Sequence, residues 1–257
     1  MKTYRFFTAI LMIALCFNFV SCGDDDENGG GETNASSKRI IQIDIEDNRY
    51  EVVTIAHVNF KYQDGKVVKA SYVEDGDTEK DEYSFDGDKI IVHNWTAMGN
   101  LICPIGENGW INSLYYESQK DKADFYYYSK EGYLVSAYLE GSDFEFIYDS
   151  NWNLIKPEWG ISDNISYSDI PNKSGLFLVY DDDPIQDLLP MLSQAGYLGK
   201  PSTNLPKLCT WNDDDETISF DYELDNDGYV KKVTATYTEE DGTDHVWTQV
   251  YTYEEVK

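Results

Sequence analysis

Turn signals recur along the chain at a nearly constant interval, and this spacing constrains the fold more than any other feature. They occur in YQDGKVV at Gly65, FDGDKII at Gly87, GENGWIN at Gly109, SKEGYLV at Gly132 and DSNWNLI at Asn153, with spacings of 22, 22, 23 and 21 residues. In each motif, polar residues with a Gly or Asn that tolerates positive φ precede a β-rich run, as in hairpin turns. A unit of about 22 residues accommodates two strands and two turns, so we predict a meander of antiparallel hairpins.

The strands themselves show two-residue alternation. In YVKKVTATYT, Val233, Ala235 and Tyr237 share one face, whereas Lys232, Thr234 and Thr236 share the other. Aromatic residues make up 15% of the chain, with 21 tyrosines, which suits a half-buried β surface. These patterns predict a mainly β fold.

One segment, DDDPIQDLLPMLSQAGYLGKPSTNLPK, departs from the strand pattern. Asp183 fits an N-cap, Pro184 the first helical position and Gln186 a capping-box partner. The apolar residues that follow recur at helical spacing and form one face: Ile185, Leu188, Leu189 and Leu192. Gly196 should end the helix. We therefore predict one helix near residues 184–196 that covers one opening or face of the sheet.

The N-terminus has the features of an export signal. Lys2 and Arg5 precede an apolar stretch that is too short to span a membrane. The next residues, FVSC, resemble the lipobox of bacterial lipoproteins, which implies cleavage before Cys22 and acylation of its sulfur. Two or more acyl chains hold a protein stably on a membrane, since each buried methylene contributes about 0.8 kcal/mol. Cys22 is therefore the predicted lipidation site and membrane anchor.

Three parts of the chain follow from this interpretation. Residues 1–21 are a lipoprotein signal peptide, residues 22–37 an acidic and Gly/Asn/Ser-rich flexible tether, and residues 38–257 a single β-rich domain. The run GDDDE after Cys22 resembles the acidic export signal of surface lipoproteins of the Bacteroidetes, and it also reads as a hydrated spacer. The expected location is the outer membrane, facing the cell surface.

Net charge restricts the possible partners. The formal charge of the full chain is −28, and loss of Lys2 and Arg5 with the signal changes it to −30. Such a surface repels phosphate backbones, which argues against nucleic acid as a partner. Partners are expected to be neutral or cationic. The sequence does not define the oligomeric state, and a monomer is assumed.

The anchor, the aromatic-x-Tyr hairpins and above all LLPMLSQAGYLGKPSTNLPK resemble Bacteroidetes lipoproteins of the domain-of-unknown-function family 4595. The resemblance covers roughly residues 38–257. It implies a strongly curved antiparallel sheet, half-barrel or barrel-like and porin-like in appearance, built here from the hairpin repeats of about 22 residues. The family has no assigned activity, so the resemblance supplies no catalytic residues.

Signatures of enzymes are scarce in the sequence. Gly-x-Ser-x-Gly, His-Glu-x-x-His and a phosphate-binding glycine loop do not occur. The three histidines, His57, His93 and His245, are far apart, and each falls on a strand or its edge. Paired carboxylates have no diagnostic value in a chain with 48 acidic residues. We therefore predict no catalytic residues, no enzyme activity and no required cofactor.

Calcium is the one metal that the sequence suggests. LDNDGYV places Asp225 and Asp227 before Gly228, and carboxylate oxygens are suitable calcium ligands. A complete calcium loop would have an aspartate where Glu223 stands, and it would end in a distal glutamate. A solvated hairpin turn explains the same residues.

Six tryptophans supply flat aromatic surfaces that suit neutral sugars. Packing in the core explains most of them. Trp110 and Trp152 lie beside turns, where exposure is easier, so they are the candidate ligand-binding residues.

Three functional hypotheses remain open. The first is a non-catalytic envelope lipoprotein that binds an unknown protein or envelope partner. The second is a glycan-binding surface lipoprotein that assists polysaccharide capture. The third is a glycosidase, which would need two opposed carboxylates in a cleft. Cys103 and Cys209 could form a disulfide or remain two buried thiols.

Overall fold

The computed structural model describes residues 37–48, 53–74, 80–86, 88–96, 99–139, 141–157, 164–178, 192, 194–210 and 216–256. The predicted signal peptide, Cys22 and the tether up to residue 36 lie outside the described residues. Within the described ranges, no helical segment has the length and apolarity that crossing a bilayer would require.

The described residues contain sixteen antiparallel strands, which form one sheet. They are β1 Lys38–Asp47, β2 Thr54–Gln63, β3 Lys66–Glu74, β4 Lys80–Asp86, β5 Lys89–Thr96, β6 Gly99–Pro104, β7 Ser113–Tyr116, β8 Asp124–Tyr128, β9 Leu134–Leu139, β10 Ser142–Tyr148, β11 Leu154–Pro157, β12 Asn164–Pro171, β13 Asn204–Thr210, β14 Thr217–Leu224, β15 Val230–Thr238 and β16 Asp244–Glu255. A short 3₁₀ segment, Glu117–Lys122, links β7 to β8. The prediction of a mainly β fold built from antiparallel hairpins is confirmed.

The order of the strands brings the two ends of the domain together. β1 pairs with β16, from Lys38 opposite Glu255 to Asp47 opposite Trp247, so the sheet runs from β11 through β1 and β16 to β12. The edge strands β11 and β12 are therefore consecutive in sequence. The sheet curves into a nearly closed barrel.

Antiparallel pairing throughout places alternate connections at the same end of the barrel. One end, called here the turn end, carries the β2–β3, β6–β7, β8–β9, β10–β11 and β14–β15 turns. The first residue of β1 and the last residue of β16 also lie at the turn end, because Lys38 pairs with Glu255. The interval of about 22 residues is thus the length of one hairpin, measured from turn end to turn end.

The hydrophobic core fills the concave face of the sheet. The strands follow the predicted alternation: in β15, Val233 and Ala235 are buried, whereas the intervening Thr234 is only half-buried. Since the described strands form a single layer, the buried side chains must point into the barrel. Burying this apolar surface supplies most of the driving force for folding.

The described residues of the segment between β12 and β13 (172–178, 192 and 194–203), called here the crossing segment, lie at the turn end. Leu192 and Leu198 are buried, the Tyr197 hydroxyl donates to the carbonyl of Val67 in β3 at 2.8 Å, and the amide of Ile111 donates to the carbonyl of Tyr197 at 2.8 Å. This segment therefore packs against hairpins on the far side of the sheet. It closes part of the turn end with apolar side chains.

The predicted helix of this segment falls mostly outside the described residues, which omit 179–191 and 193. Its predicted C-terminal end is described. Gly196 has φ +84°, and the amide of Tyr197 donates to the carbonyl of Leu192 at 2.9 Å. This hydrogen bond and the left-handed glycine form a Schellman motif, so Gly196 ends a helical turn as the sequence predicted.

Candidate functional site

Tyrosine hydroxyls tie neighbouring hairpins together near the turn end. Each hydroxyl donates to a main-chain carbonyl of the preceding strand or, for Tyr128, of a residue just before that strand: Tyr62 to Ile40, Tyr128 to Ile111, Tyr148 to Leu134, Tyr167 to Leu154, Tyr222 to Pro206 and Tyr253 to Val230, at 2.6–2.9 Å. We call these six contacts the tyrosine clasps. They explain why the hairpin repeat carries a tyrosine just before its turn.

Tyr197, in the segment between β12 and β13, supplies a similar hydroxyl contact next to β4, which has no clasp tyrosine. β4 has Phe85 in the position before its turn, and the ring of Tyr197 stacks on Phe85 with a centroid distance of 6.5 Å. The Tyr197 hydroxyl then reaches the carbonyl of Val67, which lies two residues after Gly65. Tyr197 thus makes the same type of contact from outside the sheet.

Burial perturbs the acidity of the clasp tyrosines. Removal from water disfavours the phenolate, which raises the pKa of Tyr62 and of Tyr253 to about 12 and the pKa of Tyr197 to about 12. The pKa values of Tyr148 and Tyr167 rise for the same reason. These phenols therefore stay protonated at neutral pH and can donate hydrogen bonds.

The gap between β11 and β12, called here the seam, is joined by side chains near the turn end. The Tyr167 hydroxyl donates to the carbonyl of Leu154 at 2.7 Å and lies 2.9 Å from Ser202 Oγ. Ser202 Oγ accepts a hydrogen bond from the amide of Leu154 at 3.1 Å. In the described residues, β11 and β12 form no main-chain hydrogen-bonded pairs with each other. The clasp of Tyr167 therefore spans the seam where main-chain pairing does not.

Asn153 is the centre of the seam contacts. The residue is only 4% exposed; its Oδ1 accepts from Thr203 Oγ1 at 3.0 Å and from the Asn204 amide at 2.9 Å. Its Nδ2 donates to Asp149 Oδ2 at 3.1 Å and to Asn204 Oδ1 at 3.3 Å. Because every polar atom of this buried side chain has a partner, Asn153 can hold the seam without an unpaired group.

The β10–β11 turn corrects one expectation from the sequence. Asn153 was expected to take the positive φ of this turn, and this expectation is wrong because Trp152 has φ +62°. Asp149 accepts from the amides of Asn151 and Asn153, as Ser129 does from Glu131 and Tyr133 in the β8–β9 turn. The two turns match position by position, and Trp152 stands where the β8–β9 turn has glycine. A non-glycine residue in this region stores strain of about 1–3 kcal/mol.

The two candidate tryptophans lie at the turn end and are half-buried. Trp152 stacks on Tyr133 with a centroid distance of 4.5 Å and an interplanar angle of 4°. Trp110 packs on Tyr128 at 5.1 Å, and its ring covers Gly132, where an added Cβ would lie 2.6 Å from it. Each therefore presents only part of its ring to solvent.

The candidate calcium ligands are engaged by a lysine. Lys38 Nζ lies 2.6 Å from Asp225 Oδ2 and 2.5 Å from Asp227 Oδ2. These two hydrogen bonds raise the pKa of Lys38, so it stays cationic. Across the described residues, no group of three His, Cys, Asp or Glu side chains is arranged to hold a metal ion. The ammonium group of Lys38 therefore contacts both carboxylates that the sequence suggested as calcium ligands.

The remaining sequence candidates are dispersed. Cys103 and Cys209 are buried thiols rather than a disulfide, and burial raises the pKa of Cys103 to about 12. Each histidine contacts a different partner. Nδ1 of His57 lies 2.6 Å from Asp44 Oδ1, Nε2 of His93 lies 2.7 Å from Ser84 Oγ, and Nε2 of His245 lies 2.8 Å from Glu239 Oε1. The structure does not bring the histidines together.

The outer surface of β8 and β9 carries exposed aromatic rings that the sequence analysis missed. Tyr127 is 53% exposed, Phe125 42% and Tyr138 37%, and Phe125 pairs directly with Tyr138 across the two strands. We call these three residues the aromatic face. The signal was present in DFYYY, since alternation puts residues 125 and 127 opposite the buried Tyr126. Exposed aromatic clusters of this kind mark interaction sites.

Acidic side chains border the aromatic face on β10. Asp143 pairs with Tyr138, and Glu145 pairs with Ser136, which in turn pairs with Tyr127. All of these positions point outward, because the intervening residues of β10, Phe144 and Phe146, pack in the core. The face therefore combines flat rings with hydrogen-bond acceptors.

Comparison with known proteins identifies the fold. No protein-family model and no curated protein matches the chain. A porin-like protein from Bacteroides uniformis superposes with a TM-score of 0.60 and 16% identity, covering 84% of this chain and 98% of that one. The chain shares this fold. A porin-like protein from Bacteroides vulgatus gives a TM-score of 0.50 and 14% identity, covering 84% of this chain and 100% of that one.

Proposed function

We propose that the chain is a non-catalytic lipoprotein of the outer membrane, anchored by Cys22 and exposed at the cell surface, that binds a partner through the aromatic face. We also propose membership of the domain-of-unknown-function family 4595. The porin-like fold of the Bacteroides proteins supports an envelope setting. The partner is a protein or another envelope component that is neutral or cationic.

The observation that carries this proposal is the exposure of three aromatic rings on a sheet whose other face is filled. The inward side chains pack in one apolar core, and the crossing segment buries Leu192 and Leu198 at the turn end. Binding is therefore expected on the outside. On that side the rings of Phe125, Tyr127 and Tyr138 are exposed to water. A partner that covered them would gain about 25 cal/mol for each Å² of apolar surface buried.

The geometry of the titratable groups supports a non-catalytic role. A general base needs a substrate-binding cleft and a partner that orients it. His57, His93 and His245 lie on separate strand pairs, and each has a local hydrogen-bond partner. The clasp tyrosines donate to main-chain carbonyls, and burial raises the pKa of their hydroxyls, for example Tyr62 and Tyr253, which favours a role in stability over one in chemistry.

Photo-crosslinking on cells tests the binding surface. A photoreactive residue at position 127 should give one or a few discrete adducts with envelope components. The same residue at position 250, on the outer face of β16, is the matched control, because Val250 is 41% exposed but lies outside the aromatic face. Adducts of equal yield at both positions, or at neither, would contradict the proposal.

A neutral glycan is the second candidate partner, favoured by the carboxylates beside the rings. Sugar rings stack on flat aromatic faces, and their hydroxyls donate to acceptors such as Asp143 and Glu145. The test is binding of the mature chain to neutral oligosaccharides and polysaccharides, with calcium and with EDTA. Saturable binding lost in Tyr127→Ser but kept in Trp110→Ala and Trp152→Ala would support glycan capture at this face. Binding lost only in the tryptophan variants would move the site to the turn end.

A further inference from the structure

We infer that the aromatic face and the carboxylates beside it bind an extended, basic peptide segment of the partner, with arginine or lysine at two alternate positions. This inference rests on the proposed function, because it names the chemistry of the partner for the same surface. Three observations support it: the register of three neighbouring strands, the sign of the charge on them, and the spacing of two carboxylates along β10.

The cross-strand register arranges the outward side chains of β8, β9 and β10 in two rows. The first row is Phe125, Tyr138 and Asp143, and the second row is Tyr127, Ser136 and Glu145. Side chains directly opposite each other in an antiparallel sheet lie about 5 Å apart. Each row therefore leads from an aromatic ring on β8 to a carboxylate on β10.

The middle position differs between the two rows. Tyr138 is directly opposite Asp143, so a ring and a carboxylate are neighbours in the first row. In the second row the small, half-buried Ser136 separates the ring of Tyr127 from Glu145. At both positions a guanidinium or ammonium group can contact a ring and a carboxylate together. Cation–π contact and charge-assisted hydrogen bonding both favour such a group.

The charge on these three strands has one sign. Their sequences, DFYYY, LVSAYL and SDFEFIY, contain three carboxylates and no lysine or arginine. Basic side chains occur on the elements that flank this surface: Lys156 of β11 pairs with Ile147, and Lys120 lies 5.7 Å from the ring centroid of Tyr115 in β7. A neutral partner that covered Asp143 would remove its carboxylate from water without compensation, whereas a cation would offset that cost. The charge therefore favours a basic partner over a neutral glycan.

The two outward carboxylates of β10 have the spacing of alternate residues in an extended peptide. Asp143 and Glu145 are two positions apart in the strand, which separates them by about 7 Å. Residues i and i+2 of an extended peptide point to the same side with the same separation. A segment of the form basic-x-basic that lies along β10 can therefore place one cation at each row. Two adjacent basic residues would point to opposite sides, and only one of them would reach the face.

Peptide binding to the purified mature chain tests the spacing. Two dye-labelled peptides of identical composition would carry two arginines in a threonine background, at alternate positions in one peptide and at adjacent positions in the other. Fluorescence anisotropy would give their dissociation constants. We expect the alternate peptide to bind about fivefold more tightly, which is the effect of one additional exposed ion pair with a ring contact. Equal affinity for the two peptides would overturn the inference.

Asp143→Asn tests the charge, and Asp221→Asn is the matched control. Asp221 is an exposed aspartate of β14 outside the aromatic face, so its substitution makes the same change in net charge. We expect Asp143→Asn to weaken binding of the alternate peptide about fivefold and Asp221→Asn to weaken it less than about twofold. Equal losses in the two variants would show attraction by net charge alone and would overturn the inference.

Photo-crosslinking on cells separates failure of this inference from failure of the proposed function. Adducts at position 127 that are lost in Asp143→Asn but kept in Asp221→Asn would support the basic segment. Adducts that persist in Asp143→Asn, or binding of a neutral glycan that survives this substitution, would overturn the basic segment and leave the aromatic face as the binding surface. The absence of adducts at position 127 would contradict the proposed function and this inference together.

Discussion

Replacing Asn153 with alanine should open the seam. The variant loses the two hydrogen bonds accepted by Oδ1, from Thr203 and Asn204, and the two donated by Nδ2, to Asp149 and Asn204. Three of these bonds have lengths of 2.9–3.1 Å, and each contributes about 1 kcal/mol. The Asn204 amide also loses its acceptor in a partly buried site, which costs about 1 kcal/mol more. The free energy of unfolding should therefore fall by about 3–4 kcal/mol.

The assay is urea denaturation followed by circular dichroism, together with a thermal scan. For a domain of this size, a loss of about 3 kcal/mol lowers Tm by about 6–12 °C. Asn151→Ala is the matched control, because Asn151 lies in the same turn, is exposed, and contributes its main-chain amide and carbonyl to the contacts described above. Its cost should stay within about 0.5 kcal/mol.

Hydrogen exchange locates the change. In Asn153→Ala, amides of β11 and β12 should exchange faster than those of central strands such as β1 and β16. A loss of stability below about 0.5 kcal/mol, or one equal to that of Asn151→Ala, would refute the reasoning that Asn153 holds the two edges together.

Four further predictions follow from the same structure. Tyr148→Phe should lower the free energy of unfolding by about 1 kcal/mol in urea denaturation, because it removes one clasp hydrogen bond; an unchanged midpoint would contradict the clasp. The buried phenols should lower stability as the pH rises from about 10 toward 12 and above, because they bind protons more tightly in the folded chain than in the unfolded chain; a denaturation midpoint that does not change above pH 10 would contradict this. Gly132→Ala should cost more than Gly228→Ala in thermal scans, since both glycines have positive φ but only the first meets the ring of Trp110; equal costs would contradict the contact. Calcium at millimolar concentration should leave Tm unchanged in the wild type, because Lys38 already binds both carboxylates, and a rise in Tm would show that the ion displaces it.

The repeat in the sequence predicted the hairpins because turn chemistry is local. A glycine with polar neighbours, followed by β-branched and aromatic residues, defines a turn within a few residues, and Gly65, Gly109, Gly132 and Gly228 all have positive φ. Alternation then assigned the faces of the strands correctly, as in β15. The helix stop at Gly196 was predictable for the same reason.

Features that depend on distant parts of the chain were not predictable from these patterns. Pairing of β1 with β16 joins residues 200 to 217 positions apart, and nothing local in KRIIQIDIED specifies its partner. The seam depends on Asn153 meeting Asn204 across two chain segments. Trp152 took the glycine position because the contacts of Asp149 and the stacking on Tyr133 offset its backbone strain.

Side-chain contacts of the candidate site residues were also not predictable, because their partners lie in distant parts of the chain. Tryptophan beside a turn suggested exposure, yet Trp110 and Trp152 pack on tyrosines that come from other turns or strands. Nothing in LDNDGYV predicts that Asp225 also pairs with the ammonium of Lys38, 187 residues earlier in the chain. Alternation in DFYYY separates Phe125 and Tyr127 from Tyr126, but the sequence alone does not say which of the two faces is exposed.

The most direct test of the central claim, that the aromatic face is the binding surface, is tyrosine-selective labelling on intact cells. In the purified mature chain, Tyr127 and Tyr138 should be labelled because they are 53% and 37% exposed, while the clasp tyrosines stay protected. Amine labelling of the exposed Lys120 controls for access of reagents to the cell surface. The account predicts at least fivefold slower labelling of Tyr127 on cells than in solution, with Lys120 unchanged. Equal labelling of Tyr127 in both settings would contradict it.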